Sequence, residues 1–119
     1  MATFTKAKLS GSTDGLPIKL VATSTPGTAI HTAVAGTTEG TFDEIWLWAQ
    51  NNHTSDVVLT LEWGGTTSPD HLIIITLEYK AGLIPVVPGF ILQNEKAVKA
   101  FANQANVVML YGFVNKITV

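Results

Sequence analysis

Residues 57–63 show the chain's dominant pattern. In DVVLTLEW, Val57, Leu59, Leu61 and Trp63 fall on one side of an extended backbone, and Val58, Thr60 and Glu62 on the other. This period of two predicts a β-strand, and the pattern recurs. HLIIITLEY (71–79) sets Ile73, Ile75, Leu77 and Tyr79 against Leu72, Ile74, Thr76 and Glu78. NVVMLYGFV (106–114) sets Val107, Met109, Tyr111 and Phe113 against Val108, Leu110, Gly112 and Val114. EIWLWAQ (44–50) sends Ile45, Leu47 and Ala49 one way and Trp46 and Trp48 the other, beside Glu44 and Gln50.

Weaker alternation predicts further strands over LPIKLVAT (16–23), AIHTAV (29–34) and TFTKAKL (3–9). LIPVVPGFIL carries Pro85 and Pro88, which cannot donate to a ladder, so it belongs at a sheet edge or a bend. EKAVKAFANQ has a helical alternative, with Asn94 as a cap and Val98 and Phe101 three apart, but its shortness favours a strand. Turn signals such as SGSTDG, TPG, GTTEG, QNNHTSD, GGTTSPD and QNEK separate the runs at the spacing of an all-β sandwich or barrel. The predicted fold is an all-β, antiparallel β-sandwich of eight or nine strands with jelly-roll topology. It forms a single domain over 15–119, and the polar residues 1–14 form an extended N-terminal arm without evident core commitment.

Three of these strands are apolar on both faces, which a two-layer domain does not obviously bury twice. A large buried side chain is worth ~1.5–3 kcal/mol relative to exposure, so surplus apolar faces drive association. The candidate interface residues are Trp46 and Trp48, Leu72 and Ile74 on a second doubly apolar strand, and Thr3, Phe4 and Thr5 in the arm. Self-association is expected, with the tryptophans covered in part by another chain.

Composition narrows the functional classes. Charged residues are 13% of the chain, about half the usual share of roughly 25%, and hydrophobic ones 46%, so disorder is not expected. Seven lysines, no arginine and a net charge of −2 give no basic signature for nucleic acid or for an anionic membrane. The absence of cysteine excludes disulfides and thiolate chemistry. The N-terminal stretch lacks the apolar core of a signal peptide, so synthesis in a cytoplasm without a secretion address is expected.

Candidate chemistry is sparse. His31, His53 and His71 are not in metal-ligand spacing and read as structural or solvated imidazoles. Ser68, Asp70 and His71 are neighbours in sequence, which is not how a triad is assembled, and no G-x-S-x-G surrounds them. GGTTS (64–68) lacks the lysine and context of a phosphate loop. Asp43, Glu44 and Asp56 flank QNNHTS (50–55) and raise a calcium or sugar site, without D-x-D-x-D-G spacing. Asn52-His53-Thr54 fits a glycosylation pattern that has no secretion signal to accompany it. No catalytic, cofactor or metal residue is therefore assigned, and an enzyme is not expected.

TFTKAKLSGSTDGLPIKLVAT, TAIHTA, FDEIWLWAQN, LEWGGTTSPDHL, VVPG and NVVMLYGFVNKI together resemble a family of small virion proteins of tailed bacteriophages, encoded near the major capsid protein. The resemblance covers nearly the whole chain and carries no catalytic motif. It implies a capsid decoration or cement protein, a β-rich homotrimer on the capsid surface with the major capsid protein as partner. The alternatives are another virion part (neck, tail or head fibre) and a carbohydrate-binding β-sandwich that uses Trp46 and Trp48 as a stacking platform.

Overall fold

The computed structural model describes residues 2–119. Nine strands run in the order β1 (Thr3–Lys8), β2 (Ile18–Lys19), β3 (Thr28–Thr32), β4 (Phe42–Asn51), β5 (Val57–Trp63), β6 (Leu72–Leu77), β7 (Leu83–Leu92), β8 (Ala97–Ala102) and β9 (Val108–Thr118). They form two antiparallel sheets, one ordered β1-β9-β4-β7 with β2 also on β9, the other β3-β8-β5-β6. β1 and β2 pair with successive stretches of β9, Phe113–Thr118 and Met109–Leu110. Counted as one interrupted strand, they complete the eight-strand order of a jelly roll.

The sheets pack through the alternation read above. Ile45, Leu47, Ala49, Leu110 and Val114 of the first sheet meet Leu59, Leu61, Val98 and Ala100 of the second in one core. EKAVKAFANQ supplies β8, an interior strand between β3 and β5. The proline-bearing β7 lies at the edge of its sheet, and its register against β4 slips twice, between Ile45 and Trp46 and between Leu47 and Trp48.

Two expectations are corrected. LPIKLVAT is a strand only at Ile18–Lys19; beyond it the chain crosses to the other sheet. Leu20 is buried, Val21 is exposed, the Ala22 carbonyl accepts from the Ala102 amide of β8 at 3.3 Å, and Thr25 and Gly27 reach the outer face of the four-stranded sheet. There Glu62 accepts bonds from the Thr25 hydroxyl and, at 2.6 Å, from the Gly27 amide.

The other correction concerns residues 1–14, of which Met1 lies outside the described residues. The segment is extended, but it is committed to the domain. Residues 3–8 pair with β9, Leu9 is 1% exposed within the core, and Ser12 is buried. The physical reason is the free side of β9, whose unpaired amides and carbonyls β1 satisfies.

Candidate functional site

With Ile45, Leu47 and Ala49 in the core, period two sends Trp46 and Trp48 to the outer face of the five-stranded sheet. Register fixes their neighbours. Trp46 lies opposite Phe113 on β9 and Pro88 on β7; Trp48 lies opposite Tyr111 and Pro85. The rings of Trp46, Trp48 and Phe113 stack at centroid distances of 6.0–6.3 Å with interplanar angles of 12–26°. The tryptophans are half-buried.

Polar groups hold this cluster at its margins. The Trp46 indole N–H donates to Glu44 Oε1 at 2.7 Å, and Asn115 Nδ2 donates to the same oxygen at 3.0 Å. The Asn115 bond foremost, and the Trp46 bond after it, stabilise the carboxylate and hold the Glu44 pKa below its ordinary value. The Lys6 ammonium stands 4.2 Å above the Phe113 ring, a cation–π contact. On the β7 side, Gly89 has φ of 84°, and a Cβ there would come within 2.8 Å of Trp46 Cζ2. The bulged strand thus brings bare backbone against the indole, which only glycine allows at both counts.

The outer face is apolar well beyond the tryptophans. Phe4, Ile117, Met109, Leu83 and Ile91 share it by register. Phe4 is 71% exposed, and Leu83 and Ile91 are about half exposed. Lys6, Lys8 and Lys19, all exposed, stand along its β1–β2 flank.

The candidate interface residues therefore separate. Trp46, Trp48 and Phe4 lie on this one face. Thr3 and Thr5, exposed on β1, alternate with Phe4 toward the side of Ala7, which packs on the core. Leu72 and Ile74 lie on the opposite side of the molecule, on edge strand β6, where Ile74 is 64% exposed. Tyr111, Phe113 and the flanking lysines were not singled out from sequence, although the β9 parity already grouped Met109, Tyr111 and Phe113; only the β4–β9 register shows that this group adjoins the tryptophans.

A second constellation is internal. A bulge in β3 between Ala29 and His31 turns both Ile30 and His31 inward. His31 Nδ1 accepts from the Ser10 amide at 2.9 Å, which requires the Nε2–H tautomer; Nε2 then donates to Asp43 Oδ2 at 2.6 Å. Lys116 Nζ reaches the same Asp43 oxygen at 3.0 Å. Burial depresses the His31 pKa, outweighing the opposing pull of Asp43. The imidazole is 3% exposed and joins the Leu9–Ser10 segment to β3, β4 and β9, a structural role.

The carboxylates expected to flank the 50–55 loop do not converge there. Asp43 is buried at the far end of β4, Glu44 faces outward, and Asp56 accepts from the Tyr79 amide. No cluster of three or more metal-ligating side chains occurs among the described residues. His71 accepts from the Thr67 amide at 3.3 Å within its own loop. Searches against protein-family models, curated proteins and solved structures return no match to this chain.

Proposed function

We propose that this chain is a non-enzymatic virion protein of a tailed bacteriophage, bound to the outside of the capsid, where it cements neighbouring major capsid subunits. The single observation that carries the reading is the outer face of the five-stranded sheet, a continuous aromatic and apolar surface that the chain leaves partly uncovered. Contiguous exposed apolar surface on a folded domain marks an interaction site. The likeness of the sequence to phage virion proteins supplies the partner, and the jelly roll is an architecture that capsid proteins use.

Cementing requires no reaction, only area buried against two or more subunits. A homotrimer doing so gains by multivalency, since each further contact forms at high effective concentration. Leu72 and Ile74, on the opposite side of the sandwich, are then free to meet a second copy.

The test is reconstitution on particles that lack the protein. Wild-type protein is expected to bind the shells and raise the temperature at which they release DNA, and Trp48→Ala to bind more weakly while melting nearly as wild type. Shells that take up none of it, or DNA release unchanged by its presence, overturn the reading.

A further inference from the structure

The outer face of the five-stranded sheet is charged as well as apolar, and its charge opposes that of the molecule. Register puts Lys6, Lys8 and Lys19 on it, against one carboxylate, Glu44. The face therefore sums to +2 in a chain whose net charge is −2, leaving −4 for everything else. None of the three lysines joins an ion pair among the described residues. Glu44, moreover, is already held by Trp46 and Asn115. The lysines sit together on the β1–β2 flank; the flank along β7 carries Leu83, Pro85, Pro88 and Ile91. The surface is thus polarised, basic on one side, aromatic in the middle and apolar on the other.

Resting on the proposal above, we infer that this face is the capsid-binding surface and that it docks on an acidic flank beside an apolar strip of the major capsid protein. Four strands about 4.8 Å apart and ten residues long at about 3.3 Å each give a face on the order of 600 Å². That approaches the ~800 Å² each partner contributes to an interface of standard size.

A second copy fits less well. Presenting the same face, it offers three lysines only the committed Glu44. Presenting the outer face of its other sheet, it meets a surface pointing the opposite way across the sandwich, and such contacts stack copies without closing a ring. Single-stranded nucleic acid also combines aromatics with lysines, but it needs rings open to base stacking. Here the rings are stacked on one another.

The experiment compares wild type, the triple variant Lys6→Gln/Lys8→Gln/Lys19→Gln and a control, Lys96→Gln, which removes an exposed lysine beside the other sheet. Binding to shells is followed at rising salt, with thermal melting to verify folding. Rim charges act mainly on association rate and salt dependence, and three such pairs amount to about tenfold in affinity at low salt. The triple variant is expected to bind about tenfold more weakly and with flatter salt dependence, the control as wild type. If wild type binds and the triple variant matches it, or the control loses as much, the acidic-partner inference falls and the cement reading stands. If wild type does not bind shells, both fall. Competition by oligothymidylate that quenches tryptophan fluorescence would assign the face to nucleic acid, and trimer dissociation caused by the triple variant would assign it to a second copy; either overturns the inference.

Discussion

Replacing Asp43 with alanine removes the buried acceptor that His31 and Lys116 share. Asp43 is fully buried; it accepts from His31 Nε2 at 2.6 Å and from Lys116 Nζ at 3.0 Å. The two losses are unequal. The Lys116 side chain is 42% exposed, so water replaces most of that pairing and it contributes little. His31 is sealed, and its Nε2–H loses its partner where water does not reach, at a cost of ~1–3 kcal/mol. The vacated side chain adds a small cavity, so a total of ~2–4 kcal/mol is expected. With an unfolding entropy of ~2.1 cal/mol/K per residue, a loss of ~3 kcal/mol lowers Tm by ~12 °C in a chain of this size. Scanning calorimetry at neutral pH measures it directly. A double variant with His31→Phe, which removes the stranded donor, should recover part of the loss. An Asp43→Ala protein melting within about 2 °C of wild type would refute the assignment of this cluster as a structural clamp.

The same histidine predicts a pH dependence. Its folded pKa lies below 6.5, so the unfolded chain binds more protons between the two values; stability is complete above about pH 6.5 and falls as pH drops through that window. His31→Gln should flatten Tm between pH 7 and 5, and an equally steep wild-type slope in the variant would assign the dependence elsewhere. Gly89→Ala meets both a positive φ and the Trp46 ring, so ~1–3 kcal/mol of destabilisation and a shifted tryptophan emission spectrum are expected. Removing residues 1–7 strips most of β1 from β9 but spares Leu9 and Ser10, and the fold should persist with an open, association-prone edge. Removing residues 1–10 also takes out Leu9 and the His31 bond, and its melting temperature should fall well below that of the shorter truncation.

Much of this fold is legible because a strand's side chains declare their parity locally. Val57 to Trp63, Leu72 to Leu77 and Val108 to Val114 alternate in the structure as they do on paper. Pro85 and Pro88 identify an edge because a missing N–H is a local fact. What stayed hidden depends on distance along the chain. His31 and Asp43 are 12 residues apart and Lys116 a further 73, so no spacing rule joins them. Residues 21–23 mislead because alternation continues into Val21 after Leu20, whose backbone still bonds Val108 and Asn106; a chain crossing between two sheets still buries one side. The 1–14 segment misled through its polarity. A single buried leucine and a row of backbone bonds anchor it, and neither leaves a compositional trace.

The tryptophans pose the sharper case, because parity divides EIWLWAQ into two faces without saying which is inside. Register decides it. Trp46 pairs across to Phe113 and Trp48 to Tyr111, so turning the tryptophans inward would turn all four rings inward and expel Ile45, Leu47, Val114 and Leu110. The gap between packed sheets is only ~10 Å, filled here by isoleucine, leucine, valine and alanine. Four aromatic rings in that gap overpack it, and overpacking forces the sheets apart. The aromatic outer face is thus the counterpart of the close-packed inner one, fixed by the same β4–β9 register. Gly112 records the closeness of that pairing: a Cβ there would come within 2.1 Å of the Trp46 carbonyl oxygen, so the two central strands admit no side chain at this point. A face fixed in this way cannot be withdrawn by repacking the monomer. Whatever covers the exposed remainder of the tryptophans must come from outside the chain.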